Sequence, residues 1–394
     1  MNKRSPLSRP SRRIQAVAPS ATKLMAQRAA AIDDTVSLGQ GVPGFAPPEE
    51  VLAAVQEVIA TNGASSNYSL QNGLPELRRR LAQHLFLEKE VELDPDEELC
   101  ITVGGMEGLL AAILTVVDEG DEVLLPSPTY ASYSEQILLA GGRPVYVPLG
   151  PKWELDFTRL EAALTPGTRA ILLCNPGNPT GNVYTDQEIQ AICRLAVERG
   201  LVVIIDEAYD YMIYGGKQAA NPLAMAPYRD HVISIGSLSK KYCLTGWRVG
   251  WVAARPHWME HIMKVHDAAT ICAPTPSQYA ALAALETEPQ WVEECCRRLD
   301  RRRQLCCRRL DELHPYFSYV PPRGAFYIMA RYLWSEEASD QVAIQLLEET
   351  GVITVPGGSF GLGGEGHLRL SFGGTEATIN TAFDRLGAWL GSSY

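Results

Sequence analysis

Leu201-Val202-Val203-Ile204-Ile205-Asp206 is a run of five apolar residues that ends on a carboxylate. A strand apolar at every position needs cover on both faces, the condition of a parallel sheet with helical crossovers on either side. The same pattern recurs around it. Candidate strands fall at 99–103, 122–125, 143–147, 170–174, 201–205, 232–236 and 250–253, and amphipathic stretches at about 106–118, 129–140, 186–199 and 256–266 read as helices. This alternation predicts an α/β fold: a large domain with a mostly parallel seven-stranded sheet between helices. After about residue 280 the pattern changes to a long helical segment, then 325–330, 339–349, 367–372 and 376–390, which fits a smaller α+β domain. The expected division is 46–285 for the large domain, with 1–45 (an N-terminal arm) and 286–394 forming the small one.

The chain has 394 residues, 46% of them hydrophobic, with 35 basic and 46 acidic side chains and a formal charge of −11. That apolar content argues against disorder, and the acidic balance argues against an electrostatic grip on nucleic acid or an anionic membrane. No apolar run approaches the roughly 18 residues of a membrane helix. The basic residues Lys3, Arg4, Arg9, Arg12 and Arg13 are not followed by the apolar stretch of a signal peptide. Nine cysteines, an odd number, with Cys100, Cys174 and Cys193 inside apolar runs, fit a reducing compartment. A cytoplasmic location is expected, with no nucleic-acid or membrane partner.

Three features invite other readings. Cys295-Cys296 and Cys306-Cys307 lie in one helical stretch, about 16 Å apart at 1.5 Å per residue, too far to share a metal ion. Seven arginines between 297 and 309 have Glu293, Glu294, Asp300, Asp311 and Glu312 at helical spacings, which reads as a solvated, salt-bridged face. His257 and His261 stand four apart but lack the HExxH order, so they read as surface residues and no metal site is expected. Gly361 to Gly366 spells GxGxxG, yet it follows no strand and opens no helix; it reads as a flexible loop near the substrate.

In a parallel sheet, ligands bind beyond the carboxyl ends of the strands. Gly104-Gly105-Met106, Asn175-Pro176-Gly177-Asn178, Asp206 and Ser237-Leu238-Ser239-Lys240 each follow an apolar run directly, so all four gather on one sheet edge. Glycines opening a helix leave free N–H groups that suit a phosphate, and Ser237 and Arg248 complete an anion site. Lys240 beside such a site, facing Asp206 from a neighbouring strand, is what a pyridoxal phosphate enzyme requires.

These segments resemble the class I/II, fold-type I aminotransferases across nearly the whole chain. The matching pieces are Leu38 to Pro43 (LGQGVP), Tyr68 to Arg78 (YSLQNGLPELR), Asn175 to Gly181 (NPGNPTG), Asp206 to Tyr209 (DEAY), Ser237 to Gly250 (SLSKKYCLTGWRVG) and Pro356 to Phe372 (PGGSFGLGGEGHLRLSF). The resemblance implies pyridoxal 5′-phosphate as cofactor. It implies that Lys240, rather than Lys241, links covalently to it and moves the substrate proton. Asp206 would pair with the pyridine nitrogen, and Tyr209 and Asn178 with the ring oxygen. Tyr130 would stack on the ring. Gly105, Met106, Ser237 and Arg248 would hold the phosphate, joined by Tyr68 from the partner subunit of a homodimer with shared sites. Arg369 would clamp the substrate carboxylate, with Gly41 and Asn178 nearby.

The expected reaction is transfer of an amino group from an L-amino acid to a 2-oxo acid such as 2-oxoglutarate. A lyase or synthase of the same fold shares Lys240, Asp206 and Arg369; a transcription regulator would need a DNA-binding domain, for which about 40 residues before Gly41 are too few. Many bacterial aspartate aminotransferases that this chain resembles carry a Lys after the two glycines, where this chain has Met106. A thioether cannot balance a buried carboxylate, so aromatic or large uncharged donors are expected. The alternative is an aspartate aminotransferase in which Lys23, beside Thr22, supplies the cation.

Overall fold

Each of the seven candidate strands between 99 and 253 is a strand of one seven-stranded sheet. The computed structural model describes residues 9–61, 63–216 and 221–393. Its strands, in chain order, are β1 (Val36–Ser37), β2 (Leu99–Thr102), β3 (Glu122–Ser127), β4 (Arg143–Pro148), β5 (Thr168–Cys174), β6 (Val202–Asp206), β7 (Val232–Ser237), β8 (Gly250–Ala254), β9 (Phe317–Tyr319), β10 (Tyr327–Tyr332), β11 (Val352–Ile353), β12 (Val355–Pro356) and β13 (His367–Ser371). The large sheet has the order β2-β8-β7-β6-β5-β3-β4. β8 runs antiparallel to both neighbours, and every other pairing is parallel.

The central strand shows why its sequence has no polar interruption. Val202 and Ile204 enter one apolar cluster, while Val203 and Ile205 enter the cluster on the opposite face. Each such side chain contributes about 1.5–3 kcal/mol on leaving water. The preceding helix, Asp186–Arg199, starts in a capping box of Thr185 and Glu188 and stops at Gly200 in the left-handed region. Those two signals fix where β6 begins, and so where Asp206 ends it.

Beyond residue 286 a four-stranded antiparallel sheet forms, ordered β12-β13-β10-β9. Arg369 sits within β13, opposite Met329 of β10 and Val355 of β12. β1 pairs in parallel with β11, and Ser371 donates its N–H to Leu38 O at 2.6 Å, so residues 36–38 lie against this part of the chain. The long helical segment divides into Thr275–Glu286 and Pro289–Glu312. Pro289 disfavours helical geometry at Glu288 and sets the break.

Two expectations about this region meet different outcomes. Cys295 and Cys306 are buried in the second helix, and all nine cysteines are free. The arginine face is only partly solvated, however. Arg297, Arg301, Arg303 and Arg309 pair with acidic side chains, but Arg302 is 4% exposed, donates to Gly373 O at 2.8 Å and lies 4.5 Å from the Phe45 ring centre. A guanidinium can stack on an aromatic face while its N–H groups cap a carbonyl, which charge spacing alone does not reveal. His257 and His261 are exposed as expected. Among the described residues no helix is long and apolar enough to cross a membrane, and no three His, Cys, Asp or Glu side chains gather for a metal ion.

Candidate active site

A cavity of about 380 Å³ opens beyond the carboxyl ends of β5, β6 and β7. Its wall includes Gly41, Gly105, Met106, Tyr130, Asn178, Asp206, Tyr209, Ser237, Lys240, Arg248 and Arg369, every expected site residue except Tyr68. Residues 20–23 and 359–360 line it as well.

Asp206 leaves β6 buried, with both oxygens occupied. Oδ1 accepts the Ala208 N–H at 3.0 Å and Oδ2 the Tyr133 hydroxyl at 2.8 Å. Burial pushes its carboxyl up from the ordinary range; the Tyr133 and Ala208 hydrogen bonds and Lys240 work against that rise. Lys240, half-buried in the short helix Leu238–Lys241, donates from Nζ to Gly41 O at 2.5 Å. Burial, then the charges of Arg248 and Arg369, lower its ammonium to about 8. An amine so poised exchanges protons near neutrality and is a competent nucleophile.

The other end of the cavity is built for an anion. Gly104 opens the helix Gly104–Val116 at φ +72°, and a Cβ there would lie 2.5 Å from Arg248 Nη2, so glycine alone admits the guanidinium. Val103 offers no side-chain cap, leaving first-turn N–H groups to face the cavity. Arg248 is held by Thr245 O at 3.0 Å through Nη1, and Ser237 Oγ accepts the Ser239 N–H at 3.2 Å. Ser239 Oγ is buried and finds no hydrogen-bond partner among the described residues. These open donors fit a phosphate group.

Arg369 closes the cavity from the small sheet. Nη1 donates to Asn178 Oδ1 at 3.1 Å and Nη2 to Gly39 O at 2.8 Å, while Nε is buried without a partner among the described residues. Its guanidinium lies 4.6 Å from the Tyr327 ring centre and 5.0 Å from that of Phe360. Asn178 Nδ2 donates to Tyr209 Oη at 3.4 Å, and the Tyr209 and Tyr327 hydroxyls are 2.9 Å apart. The two rings and the two hydrogen bonds restrain the arginine fork without consuming all its donors, the arrangement that takes a planar carboxylate.

Sequence reasoning missed Tyr133, Tyr327, Phe360 and Ser239. The one usable signal was Ser239 in Ser-x-Ser-Lys; the three aromatic residues look like core in their elements. Tyr68 is 76% exposed and lies outside this chain's cavity, beside Ser65, Asn67 and Thr275. Lys241 is turned away, with Nζ on Glu88 and His84. The GxGxxG segment forms a short turn of 3₁₀ helix at Leu362–Gly364 and leads into β13, and Gly363 N–H donates to Ser127 Oγ at 3.4 Å.

The family described as aminotransferase class I and II matches residues 33–386. An aromatic-amino-acid aminotransferase from Thermococcus litoralis is 35% identical over 95% of this chain and 96% of its own. An aspartate aminotransferase from Pyrococcus abyssi has the same identity and the same coverage of both chains. The solved structure of a single mutant of Thermus thermophilus aspartate aminotransferase is similar at a TM-score of 0.91 and 33% identity, covering 97% of this chain and 100% of that one.

Proposed function

Because the chain belongs to the aminotransferase class I and II family, we propose that its cavity holds pyridoxal 5′-phosphate and moves an amino group from an L-amino acid to a 2-oxo acid such as 2-oxoglutarate. The observation that carries this reading is the meeting of Lys240, Asp206 and Arg369 in one cavity whose far end presents open anion donors. Gly105 and Met106 through their N–H groups, Ser237, Ser239 and Arg248 would hold the phosphate; Asp206 the ring nitrogen; Tyr209 and Asn178 the ring oxygen; and Tyr130 the ring face. When bound, the cofactor draws electron density from the substrate α-carbon.

The chain's own groups do the rest. Arg369 takes the α-carboxylate and so sets which bond at the α-carbon stands ready to break. Lys240 would anchor the cofactor and, with its ammonium lowered to about 8, would take up and return the proton at the substrate α-carbon. Asp206, kept in place by Tyr133, would hold the ring nitrogen in its charged form. The assembly we infer is a cytoplasmic homodimer in which Tyr68 reaches the partner's phosphate, with 46–285 as the cofactor domain and 1–45 plus 286–394 as the small domain.

For the donor we favour aromatic or large uncharged amino acids, because Met106 stands in the cavity wall where a cation would otherwise select a dicarboxylate. Lys23 in the same wall supports the second reading, aspartate as donor. The test is borohydride reduction of the yellow protein followed by peptide mapping, with product analysis on a panel of amino and 2-oxo acids. Label on Lys240 and a released oxo acid are expected. Label on Lys241, or none, rejects the assignment, and products of elimination without transamination turn it toward a lyase.

A further inference from the structure

Helix Pro75–Lys89 contributes nothing to the cavity wall, yet its last turn carries two opposite charges side by side, Glu88 and Lys89. Consecutive helical residues point about 100° apart, so the two side chains reach different neighbours. Lys89, with its side chain 1% exposed, places Nζ 3.2 Å from Glu207 Oε1 and also pairs with Asp210 Oδ2. Glu88 Oε1 accepts Lys241 Nζ at 2.7 Å, and His84 Nε2 stands 3.0 Å from that nitrogen. Glu207 is the residue after Asp206, and Lys241 the residue after Lys240.

Neither connection is free to drift. Glu207 Oε2 also accepts Ser234 Oγ at 2.6 Å and Asn221 Nδ2 at 2.7 Å, and Asp210 N–H donates to Glu207 O at 3.1 Å. A buried ammonium flanked by two carboxylates tolerates the loss of no partner, which makes the geometry obligatory. The Lys241 side chain is itself buried, so the Lys241 end of its pairing with Glu88 is shielded from water while Glu88 stays partly exposed.

We propose that Glu88 and Lys89 are positioning residues: one helical turn grips the neighbour of Lys240 and the neighbour of Asp206, and thereby fixes the separation of the amine and the carboxylate across the site. The inference rests on the cofactor reading above. The titratable and charged groups that face Lys240 are Arg248, Arg369, Asp206 and the neutral thiol of Cys243, and those that face Asp206 are the neutral hydroxyl of Tyr133, Lys240 and Asp210. Glu88, Lys89, Glu207 and Lys241 are absent from both sets, so they act on the site through chain position and through charge left behind when one member is removed, while Asp210, a partner of Lys89, also bears on Asp206 directly.

The experiment compares Lys89→Met and Glu88→Gln with wild type, each loaded with pyridoxal phosphate, reading the pH midpoint of the visible absorbance, kcat and KM. Lys89→Met strands two carboxylates, so the proton at Lys240 is held more tightly and the midpoint rises. Glu88→Gln strands Lys241, and the midpoint falls. Shifts of about half a pH unit are expected, with kcat down on the order of tenfold and KM changed less, since neither side chain touches substrate. General loosening of the fold would move both midpoints the same way. That result, or wild-type midpoints and kcat in both folded variants, overturns the proposal. Should Lys89→Met fail to fold, Lys89→Met/Asp210→Asn keeps the net charge; a wild-type midpoint with lowered kcat is expected, and an unchanged kcat overturns the proposal. Wild-type protein that shows no visible band after loading overturns the cofactor reading instead, so the two failures are distinct.

Discussion

Tyr133 donates its hydroxyl to Asp206 Oδ2 at 2.8 Å, both side chains being buried. A hydrogen bond to the ionised form stabilises it, and here it opposes the upward push of burial on the carboxyl. Tyr133→Phe removes that donor and leaves one carboxylate oxygen unpaired. A hydrogen bond to a charged group contributes about 1.5–3 kcal/mol, so kcat should fall roughly 10- to 100-fold. The dissociation constant of pyridoxal phosphate should rise in the same variant. Unchanged kcat and cofactor retention would show that Asp206 needs no such support.

Lys240 gives a pH expectation. Its ammonium is lowered to about 8 by burial and by Arg248 and Arg369, so the free amine is already appreciable near neutrality. In cofactor-free protein the rate of pyridoxal phosphate capture should rise with pH and level off above about 8. Arg369→Gln deletes one of the opposing charges, and the lysine pKa must then move up, carrying the midpoint to higher pH. A rate still climbing at pH 10 in the unaltered protein contradicts this account.

A second buried pair sets a stability trend. His266 Nδ1 stands 3.1 Å from Glu107 Oε1 and Nε2 3.0 Å from Gln71 O, tying the segment after Tyr68 to the helix that opens at Gly104. Burial disfavours the charged ring, but the Cys100 and Glu107 contacts outweigh it and lift His266 from 6.5 to about 10. A raised folded-state pKa contributes stability that is fully present below the unfolded value and is lost as pH climbs through the folded one. Tm should therefore decline between about pH 6.5 and 10, and His266→Gln should flatten that decline. Equal slopes in the two proteins would assign the trend elsewhere.

The shared site is tested by mixing two dead subunits. Tyr68 lies outside the cavity of its own chain, fully accessible to a second copy. Lys240→Ala and Tyr68→Ala homodimers should each be nearly inactive. Hybrids contain one site with both residues intact, so subunit exchange should restore activity to as much as half of each hybrid's sites. Mixtures that exchange subunits yet stay inactive rule out the crossing of Tyr68.

How much of this was legible in the sequence follows from where the information resides. Strands such as Leu201–Ile205 are apolar at each position because both faces are covered, so the period itself discloses the sheet. Lys240, Asp206 and Arg248 end such strands or follow them closely, and strand ends converge on one edge whatever the helices do. Tyr133 and Tyr327 carry no comparable mark: an aromatic residue in a helix or strand reads as core, and only the fold brings their hydroxyls to Asp206 and Tyr209. The pairs Glu88–Lys241 and Lys89–Glu207 join residues more than 100 positions apart, beyond any local spacing rule. Arg302 was misread for the opposite reason, since acidic neighbours along its helix masked a partner across it.

Donor choice turns on Met106 and Lys23, which share the cavity wall. Met106 O accepts Gln136 Nε2 at 2.9 Å, so its backbone is fixed and its thioether alone adapts. An apolar, polarizable wall favours flat or uncharged side chains, while a distal carboxylate buried against it would lack a counter-charge. Lys23 is exposed at this wall and has no pairing among the described residues that would keep it from a carboxylate. One desolvated charge decides specificity by several kcal/mol, so the two residues make opposite demands. The expected order of kcat/KM, with 2-oxoglutarate as acceptor, places phenylalanine, tyrosine, methionine and kynurenine above aspartate. Met106→Lys should raise the aspartate value at least tenfold and lower the aromatic ones. Lys23→Ala should weaken 2-oxoglutarate more than any aromatic donor, since only the acceptor brings a distal carboxylate to that wall. An aspartate value tenfold above all others, falling selectively in Lys23→Ala, would make Lys23 the selecting cation and reverse the role given to Met106.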